Sequence, residues 1–280
     1  MKKPTRYLLY FSTLFLLLYL GVGFLIPQVS LKLTEYEIAG SKLSQALRVV
    51  QIADLHCAEL DEKVYETISA QKPDLIFVVG DLVNRDDAEI APALDALETL
   101  VAIAPVYVSL GNHDVTHSSR FHPDLAEQFH QTGATVLDKE YVDIDVNGQA
   151  LRIGGIYGYC LPKKFEEAWD AESHFLSNFQ NTDRFTILLA HMPVCWLIND
   201  SLDYWDVDCV LSGHTHGGQV ILPIIGGLYA PDQGWFPGEC AGHFQTDNKH
   251  LVITTGLGGT TPVPRFYNRP EVISLELLPS

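Results

Sequence analysis

The chain has 280 residues, of which 47% are hydrophobic and 10% aromatic; this is enough apolar material for a packed core and too much for a disordered protein. Its 35 acidic residues outnumber 18 basic ones, which gives a formal net charge of −17 at pH 7. A surface this acidic repels phosphate backbones, and we therefore expect no nucleic-acid partner.

The first thirty residues differ from the rest in charge and hydropathy. Three basic residues precede a stretch, 7–26, of twenty residues without a charged side chain. A helix of that length spans about 30 Å, the thickness of the hydrocarbon core of a bilayer. The alternative is a cleaved signal peptide, but its apolar region is usually only about 7 to 15 residues long, and no A-x-A site follows here. We expect residues 1–30 to form an uncleaved membrane anchor and residues 31–280 to form one globular domain.

The charges that flank this segment predict its orientation. The basic residues Lys2, Lys3 and Arg6 precede it, whereas the residues just after it offer one lysine beside two glutamates. Basic flanks tend to stay in the cytoplasm. We therefore expect a single-pass protein of the cell membrane with its globular domain on the non-cytoplasmic side.

The cysteines give little evidence of a specialised role. They are scattered without a C-x-x-C pair, at Cys57, Cys160, Cys195, Cys209 and Cys240. This spacing argues against a thiolate zinc site and against a disulfide-dense scaffold. We expect most of them to be small core residues.

From residue 47 onward one pattern recurs, in which a β-branched apolar run ends abruptly in polar residues. Five strands are predicted in this way. Their ends carry Asp54-Leu55-His56, Gly80-Asp81, Gly111-Asn112-His113-Asp114, His191 and Gly213-His214-Thr215-His216.

Helical patterns lie between the early strands. Val64 and Ile68 share one face of a first helix, and a second helix has an apolar face made by Ile90, Leu94, Leu97 and Val101. This alternation predicts right-handed crossovers in a buried sheet. Later turn signals, Asn147-Gly148 and the "TDNKH" stretch, predict two hairpins and hence antiparallel strands as well. We expect a layered α/β architecture with a mixed sheet or a pair of sheets.

Each polar cluster is a weak signal by itself. Asp-x-His occurs by chance in many proteins, and a lone histidine such as His191 is more often hydrogen-bonded in a core than bound to a metal. However, ligand sites of open α/β sheets lie beyond the carboxyl ends of the strands, where all five clusters fall. Together they offer imidazoles, carboxylates and an amide oxygen, which are metal ligands. The sequence therefore predicts a metal site at this edge.

In this order and spacing, the clusters of residues 47–217 resemble the signature of the calcineurin-like metallophosphoesterases. The C-terminal residues 217–278, with "GLGGTTPVPRFYNRPEVISLEL", are similar to the membrane-anchored bacterial phosphodiesterases of that superfamily. The resemblance implies a layered αββα-type sandwich of mixed β-sheets. It places the metal site at the C-terminal ends of the strands, after one N-terminal transmembrane helix.

The resemblance also implies two divalent metal ions, for which Mn, Fe or Zn are candidates. Asp54, His56 and His216 would hold one, Asn112, His191 and His214 the other, and Asp81 would bridge both. A water shared by two cations about 3.5–4 Å apart loses a proton near neutral pH and can attack phosphorus in line. His113 matches the histidine that contacts substrate, and it would protonate or stabilise the leaving oxygen.

One stretch, "GDLVNR", departs from the phosphoprotein phosphatases of this superfamily, which have an aspartate where this chain has Asn84. Asn84 can accept a hydrogen bond from His113 but cannot stabilise an imidazolium by charge. Asp114 could supply that charge, or it could cap a helix. The departure favours a diesterase or a pyrophosphatase over a protein phosphatase. Arg85 and Arg265 are candidate phosphate contacts, with a surface salt bridge as the alternative for Arg265.

A segment rich in glycine and proline, residues 223–242, carries Tyr229, Trp235 and Phe236. It could line the substrate cleft, touch the membrane or form an ordinary buried loop. The sequence leaves these three alternatives open.

We expect a membrane-anchored, metal-dependent phosphodiesterase acting on a phosphoester, for which the anchor makes a lipid-linked substrate a candidate. The first alternative is a pyrophosphatase acting on a nucleotide-linked lipid precursor. Such a precursor is made in the cytoplasm, on the side opposite to the predicted domain. A second alternative is a non-catalytic metal-binding scaffold, which we would expect to have lost a ligand or His113.

Overall fold

A computed structural model of the chain describes residues 3–160, 171–198, 201–259 and 263–280. Within these residues, two six-stranded β-sheets pack face to face between two layers of helices. This is the layered αββα arrangement of mixed sheets that the family resemblance implies, and it is consistent with the pair of sheets that the sequence patterns allow.

The first sheet carries the early strands. It contains β1 (Lys32–Gly40), β2 (Leu47–Ile52), β3 (Leu75–Val79), β4 (Val106–Ser109), β5 (Thr135–Leu137) and β16 (Glu271–Pro279), in the order β1-β16-β2-β3-β4-β5. Strands β2 to β5 are parallel, and β16 pairs antiparallel with β2. β3 is buried along its whole length, because its continuous apolar sequence allows both faces of this parallel strand to be covered.

The second sheet carries the later strands. It contains β6 (Glu140–Val146), β7 (Gln149–Ile156), β8 (Phe185–Ala190), β9 (Cys209–Ser212), β14 (Gly242–Thr246) and β15 (Lys249–Ile253), in the order β14-β15-β9-β8-β7-β6. Strands β7, β8, β9 and β15 are parallel. The hairpins β6–β7 and β14–β15 supply the antiparallel pairs that the turn signals predict.

The helices cover the outer faces of the sandwich. On the first sheet lie α2 (Glu62–Ala70), α3 (Ala91–Val101) and α5 (Leu125–Gln131), and on the second lie α6 (Ala171–Phe179), α7 (Val194–Ile198) and α8 (Ser201–Tyr204). The helix α4 (Asn112–Arg120) begins at the end of β4. Two short hairpins, β10 (Ile221–Leu222) with β11 (Gly226–Gly227) and β12 (Tyr229–Ala230) with β13 (Gly234–Trp235), follow the turn at His216–Gly218.

The core between the sheets is built from side chains of both. Val49 and Phe77 of the first sheet meet Ile153, Ile187 and Leu211 of the second, and all five are at most 1% exposed. Four of the five cysteines are buried, as expected for small core residues. Because this core fixes the sheets against each other, it also fixes the relative positions of their strand ends.

The prediction of α3 needs a correction. Ile90 precedes the helix as its N-cap, and Leu94 and Val101 are only partly buried. The buried face instead includes Leu97 and Leu100, together with two alanines. The small alanine side chains allow the helix to approach the sheet closely, and a search for large apolar residues overlooks them.

The N-terminal helix α1 (Lys3–Val29) contains an apolar segment, Tyr7–Val29, that is long and apolar enough to cross a membrane. Gly23 and Pro27 are buried against the globular domain, while most of the segment is exposed. The helix therefore is a candidate membrane span or signal anchor, with one side near its C-terminal end in contact with the domain.

Candidate dimetal site

The five polar clusters follow β2, β3, β4, β8 and β9 and meet at one edge of the sandwich. Backbone hydrogen bonds tie them together. The N–H groups of Asp54 and His56 donate to the carbonyl oxygens of Gly80 and Asp81, both at 3.0 Å, and the Gly213 N–H donates to the His191 carbonyl at 3.1 Å. The His214 N–H donates to Asp54 Oδ1 at 3.0 Å and joins the strand ends of the second sheet to those of the first.

Many of the predicted ligands have a left-handed backbone. The φ angle is 55° at Asp54, 50° at His56, 53° at Asp81, 68° at His214 and 47° at His216. Residues with a side chain rarely adopt this conformation, which costs about 1–3 kcal/mol each. The surrounding fold therefore holds five strained residues within one site, a concentration typical of functional sites.

A first group of ligand atoms comes from Asp54, His56 and His216. The Nε2 atoms of His56 and His216 lie 3.2 Å apart, and His216 Nε2 lies 3.6 Å from Asp54 Oδ1. One ligand atom from each of the three residues lies within 4.8 Å of the others, and all three residues are buried. Two imidazole nitrogens and a carboxylate oxygen that converge in this way can hold a divalent cation.

A second group comes from Asp81, His191 and His214, again with ligand atoms within 4.8 Å of one another. His191 Nδ1 lies 2.8 Å from the Val79 carbonyl and must donate to it, so Nε2, which lies 3.1 Å from Asp81 Oδ2, is the nitrogen left for a cation. The Oδ1 atom of Asn112 is buried without a hydrogen-bond partner in the described structure. A buried amide oxygen of this kind is a ready ligand for a cation.

Asp81 lies between the two groups. Its Oδ1 accepts a hydrogen bond from the His113 backbone N–H at 2.8 Å, while its Oδ2 faces His191 Nε2. The same Oδ2 lies 3.8 Å from Nε2 of His56, which belongs to the first group. A single carboxylate is therefore shared between both sets of imidazoles.

The environment favours neutral imidazoles at three positions. Burial lowers the pKa of His56 and of His214 to about 4, and lowers that of His216 well below its ordinary value. Neutral imidazole is the form that binds metals. Burial also favours the uncharged form of the Asp54 carboxyl group, because it raises the pKa of that group to about 7.

For Asp81 and His191, in contrast, the pKa shifts favour the charged forms. Burial opposes the charge on each, but their mutual attraction outweighs it. The pKa of Asp81 is therefore held well below its ordinary value, and that of His191 is raised to about 9. A cation bound here would replace the His191 proton, so metal binding releases protons at this site.

Two glycines are required by close approach. A Cβ at Gly80 would lie 2.5 Å from His191 Nδ1, and the φ of Gly80 is +74°. A Cβ at Gly111 would collide with Oδ1 of Asp81. The Gly80-Asp81 and Gly111-Asn112 steps therefore need glycine first, because a Cβ at either glycine would occupy the space of His191 or Asp81.

His113 is oriented by a partner that the sequence did not predict. The Arg85 backbone N–H donates to His113 Nδ1 at 3.4 Å, whereas the Asn84 side chain donates to the His56 carbonyl at 2.8 Å. Asp114 accepts hydrogen bonds from the backbone N–H groups of Val83 and Gly111 and caps α4. Of the two roles left open for Asp114, the capping role is the one that the structure shows.

A cavity of 530 Å³ opens over the ligand groups. Its wall includes Asp81, Arg85, Asn112, His113, His214, Thr215, His216, Gly218, Gln219, Val220, Leu228, Tyr229, Pro231, Trp235 and Val263. Arg85 thus lies where it can meet a substrate. The segment 223–242 is not an ordinary buried loop, because Tyr229 and Trp235 line the cavity and are also exposed.

Arg265 has a different position from the one expected. It is buried, and its guanidinium donates to the carbonyl oxygens of Thr255 and Gly258, each at 2.7 Å. The Gly258 N–H in turn donates to the Asp54 carbonyl at 2.7 Å. Arg265 does not line the cavity, so its position supports neither a phosphate contact nor a surface salt bridge. It holds the loop behind Asp54.

Asp232 is a further residue of the site, and the sequence did not predict it. Its Oδ2 lies 3.0 Å from Nε2 of His214. His214 must donate from Nε2, which leaves the Nδ1 lone pair for a cation. No motif surrounds this aspartate, and it lies 18 residues beyond His214, so only the folded structure identifies it.

Comparison with known proteins agrees with this geometry. The family model of the calcineurin-like phosphoesterases matches residues 47–218. An uncharacterized metallophosphoesterase of Bacillus subtilis is 31% identical over 254 residues, with 85% of this chain and 82% of that protein covered. The phosphodiesterase YaeI of Escherichia coli is 29% identical, with 82% of each chain covered.

A further relative is longer than this chain. An uncharacterized metallophosphoesterase of Campylobacter jejuni is 26% identical over 269 residues; 93% of this chain is covered, but only 66% of the relative. The match to the family model nevertheless includes all five strand ends and both groups of ligand atoms. The chain therefore belongs to the calcineurin-like phosphoesterase family and is a metal-dependent phosphoesterase.

Proposed function

We propose that this protein is a membrane-anchored phosphodiesterase that uses two divalent cations. The observation that carries the proposal is the single carboxylate of Asp81, shared between two groups of ligand atoms at the base of one cavity. Nε2 of His191 and Nε2 of His56 lie 3.1 and 3.8 Å from Asp81 Oδ2, so this carboxylate could bridge two cations, one held by each group, as in-line displacement at a two-metal site requires.

Seven residues would hold the cations. Asp54, His56 and His216 would bind one, Asn112, His191 and His214 the other, and Asp81 both. When bound, the cations acidify water and neutralise charge on the phosphoryl oxygens. The protein fixes the ligands beforehand, because five of the seven have a strained backbone conformation that the fold maintains.

His113 would act on the leaving group. Its Nδ1 accepts the Arg85 N–H, so the proton of the neutral ring resides on Nε2. His113 lines the cavity and can donate a hydrogen bond from Nε2 to the leaving oxygen as the ester bond breaks. Arg85, at the cavity edge, would contact a non-bridging oxygen of the phosphoryl group.

The cavity wall favours a diester over a monoester. Val220, Leu228, Tyr229, Trp235 and Val263 form an apolar side that can accept a second organic ester group. A phosphomonoester has a single organic group, which would lie at His113 as the leaving group, so it has no second group to cover that side. The E. coli relative, named a phosphodiesterase, is consistent with this preference.

The anchor completes the proposal. Residues 1–30 would insert as an uncleaved single span, with residues 31–280 as one catalytic domain on the non-cytoplasmic side. The length and hydropathy of Tyr7–Val29 and the basic residues before it support this topology. The same topology disfavours the pyrophosphatase alternative, whose nucleotide-linked substrate is cytoplasmic. The complete ligand set disfavours a non-catalytic scaffold.

The reaction is tested on the full-length protein in detergent, stripped of metal and titrated with Mn²⁺, Fe²⁺ or Zn²⁺. We expect metal to restore cleavage of a chromogenic phosphodiester in preference to its monoester. His113→Ala should keep the bound metal and lower kcat about 10²- to 10⁴-fold, because general acid–base groups contribute that much. The loss should be greater for substrates with poorer leaving alcohols.

The matched control is His130→Ala, since His130 is exposed on α5 and should retain full activity. Preference for the monoester would contradict the diesterase assignment, and cleavage confined to a nucleotide-linked pyrophosphate would favour the alternative. A uniform loss across leaving groups in His113→Ala would contradict its role.

Asp81→Asn tests the shared carboxylate. The amide cannot compensate the charge of two cations, so we expect the variant to bind fewer than two metal ions per chain and to lose activity. Metal content is measured by mass spectrometry after dialysis, beside Asp95→Asn, which alters an exposed acid on α3. Two tightly bound ions in Asp81→Asn would rule out the bridging role.

Asp232→Asn tests the orientation of His214. The amide can still accept the hydrogen bond but has no charge to strengthen the imidazole as a ligand. We expect metal affinity to fall about 10- to 100-fold, as for other partners of metal-bound histidines. Calorimetric titration with Mn²⁺ measures this, with Asp247→Asn in the β14–β15 turn as control. Unchanged affinity would show that Asp232 has no such role.

A further inference from the structure

Apolar side chains project from the two short hairpins that follow the metal ligands. Ile224 at the tip of β10–β11 is 108% exposed and Trp235 is 69% exposed, with Ile225 and Phe236 also more than half exposed. We call these four residues the apolar collar. Soluble surfaces seldom expose neighbouring large apolar residues, and such patches mark contact with a partner or a membrane.

Backbone hydrogen bonds join the two hairpins into one unit. The Leu228 N–H donates to the Val220 carbonyl, and the Leu228 carbonyl accepts from the Phe236 N–H, both at 2.8 Å. Trp235 packs edge-on against Tyr229, with ring centroids 5.4 Å apart. Since Tyr229, Trp235 and Leu228 also line the metal-site cavity, the collar continues the apolar wall of that cavity outward.

The same unit is connected to the N-terminal helix. Val220 forms a bridge with Phe266, and the Ile221 N–H donates to the Phe266 carbonyl at 2.9 Å. The Phe266 ring packs against Phe24 of α1, with centroids 4.9 Å apart. Phe266 therefore contacts the two joined hairpins on one side and α1 on the other.

These contacts fix the depth of the domain relative to α1. The Tyr267 hydroxyl donates to the Tyr19 carbonyl at 3.0 Å, and the Tyr267 N–H donates to the Gly23 carbonyl at 2.8 Å. Tyr19 lies ten residues, about 15 Å, before the end of the apolar segment at Val29. The edge of the domain that carries Tyr267 thus lies beside the apolar segment rather than beyond its end.

Charge indicates which kind of membrane contact fits. The stretch 220–238 contains no lysine or arginine and one acid, Asp232, in a domain with 35 acidic and 15 basic residues. Electrostatic attraction to anionic headgroups therefore cannot drive the contact. Tryptophan and branched apolar residues partition into the membrane interface without it.

We propose that the apolar collar enters the membrane interface and directs the metal-site cavity toward the bilayer, so that the substrate class is a phosphodiester carried by a membrane lipid. This rests on the proposed function and on α1 as the anchor. The phosphodiester headgroup would reach the ligand groups while the acyl chains stay in the bilayer along the collar.

The first test uses the full-length protein in phosphatidylcholine vesicles with two chromogenic diesters, one water-soluble and one the nitrophenyl ester of phosphatidic acid within the bilayer. For Ile224→Ser/Phe236→Ser, we expect the ratio of lipid-diester to soluble-diester turnover to fall at least about tenfold, since even one buried apolar side chain acts on that scale. The control pair, Phe121→Ser/Tyr141→Ser, alters exposed aromatic residues outside the collar and should preserve the ratio. An unchanged ratio in the collar variant would overturn the proposal.

The second test needs no turnover. Tryptophan fluorescence of the wild type in vesicles with brominated phosphatidylcholine is compared with that of Trp235→Tyr. We expect a quenchable fraction in the wild type that the variant loses, and equal quenching in both would overturn the collar contact. Loss of that fraction without cleavage of any diester would support the contact while overturning the substrate class and the proposed function.

Discussion

The side chains of the site are arranged around one buried carboxylate, that of Asp81, which lies among imidazoles. Asp81 is 1% exposed, and its two oxygens face the His113 N–H, His191 and His56. Burying a charged carboxylate is unfavourable by several kcal/mol unless nearby charge and hydrogen bonds compensate. His191 supplies part of that compensation, and two cations would supply the rest. The affinity for metal is therefore a consequence of how the apoprotein is built.

Bringing the ligands to Asp81 requires an unusual backbone and a rigid support. Parallel strands from two sheets end at the same edge, and left-handed residues turn the chain so that the side chains converge. Hydrogen bonds between the loops, such as those of the Asp54 and His56 N–H groups, hold these turns in place. Strain of about 1–3 kcal/mol per residue is thus stored where the chemistry needs fixed ligands. The core between the sheets stabilises the whole arrangement.

The sequence predicted those parts of the site that local patterns encode. Apolar runs locate β2, β3, β4, β8 and β9, and the polar residues after each run are side chains that the fold does bring together. Long-range partners leave no such pattern. Asp232 is isolated in a loop, and the partners of Arg265 are backbone carbonyl oxygens, which no side-chain pattern identifies. Asn84 donates to the His56 carbonyl rather than pairing with His113. The pairing of β1 with β16 joins the two ends of the domain and was likewise not predictable from local periodicity.

The bridging role of Asp81 is best tested by crystallising the full-length protein with Mn²⁺ and recording diffraction at the manganese absorption edge. We expect two anomalous peaks about 3.5–4 Å apart. One peak should adjoin Asp54, His56 and His216, the other Asn112, His191 and His214, with Asp81 in contact with both. A single peak, or two peaks without Asp81 between them, would contradict the bridging role.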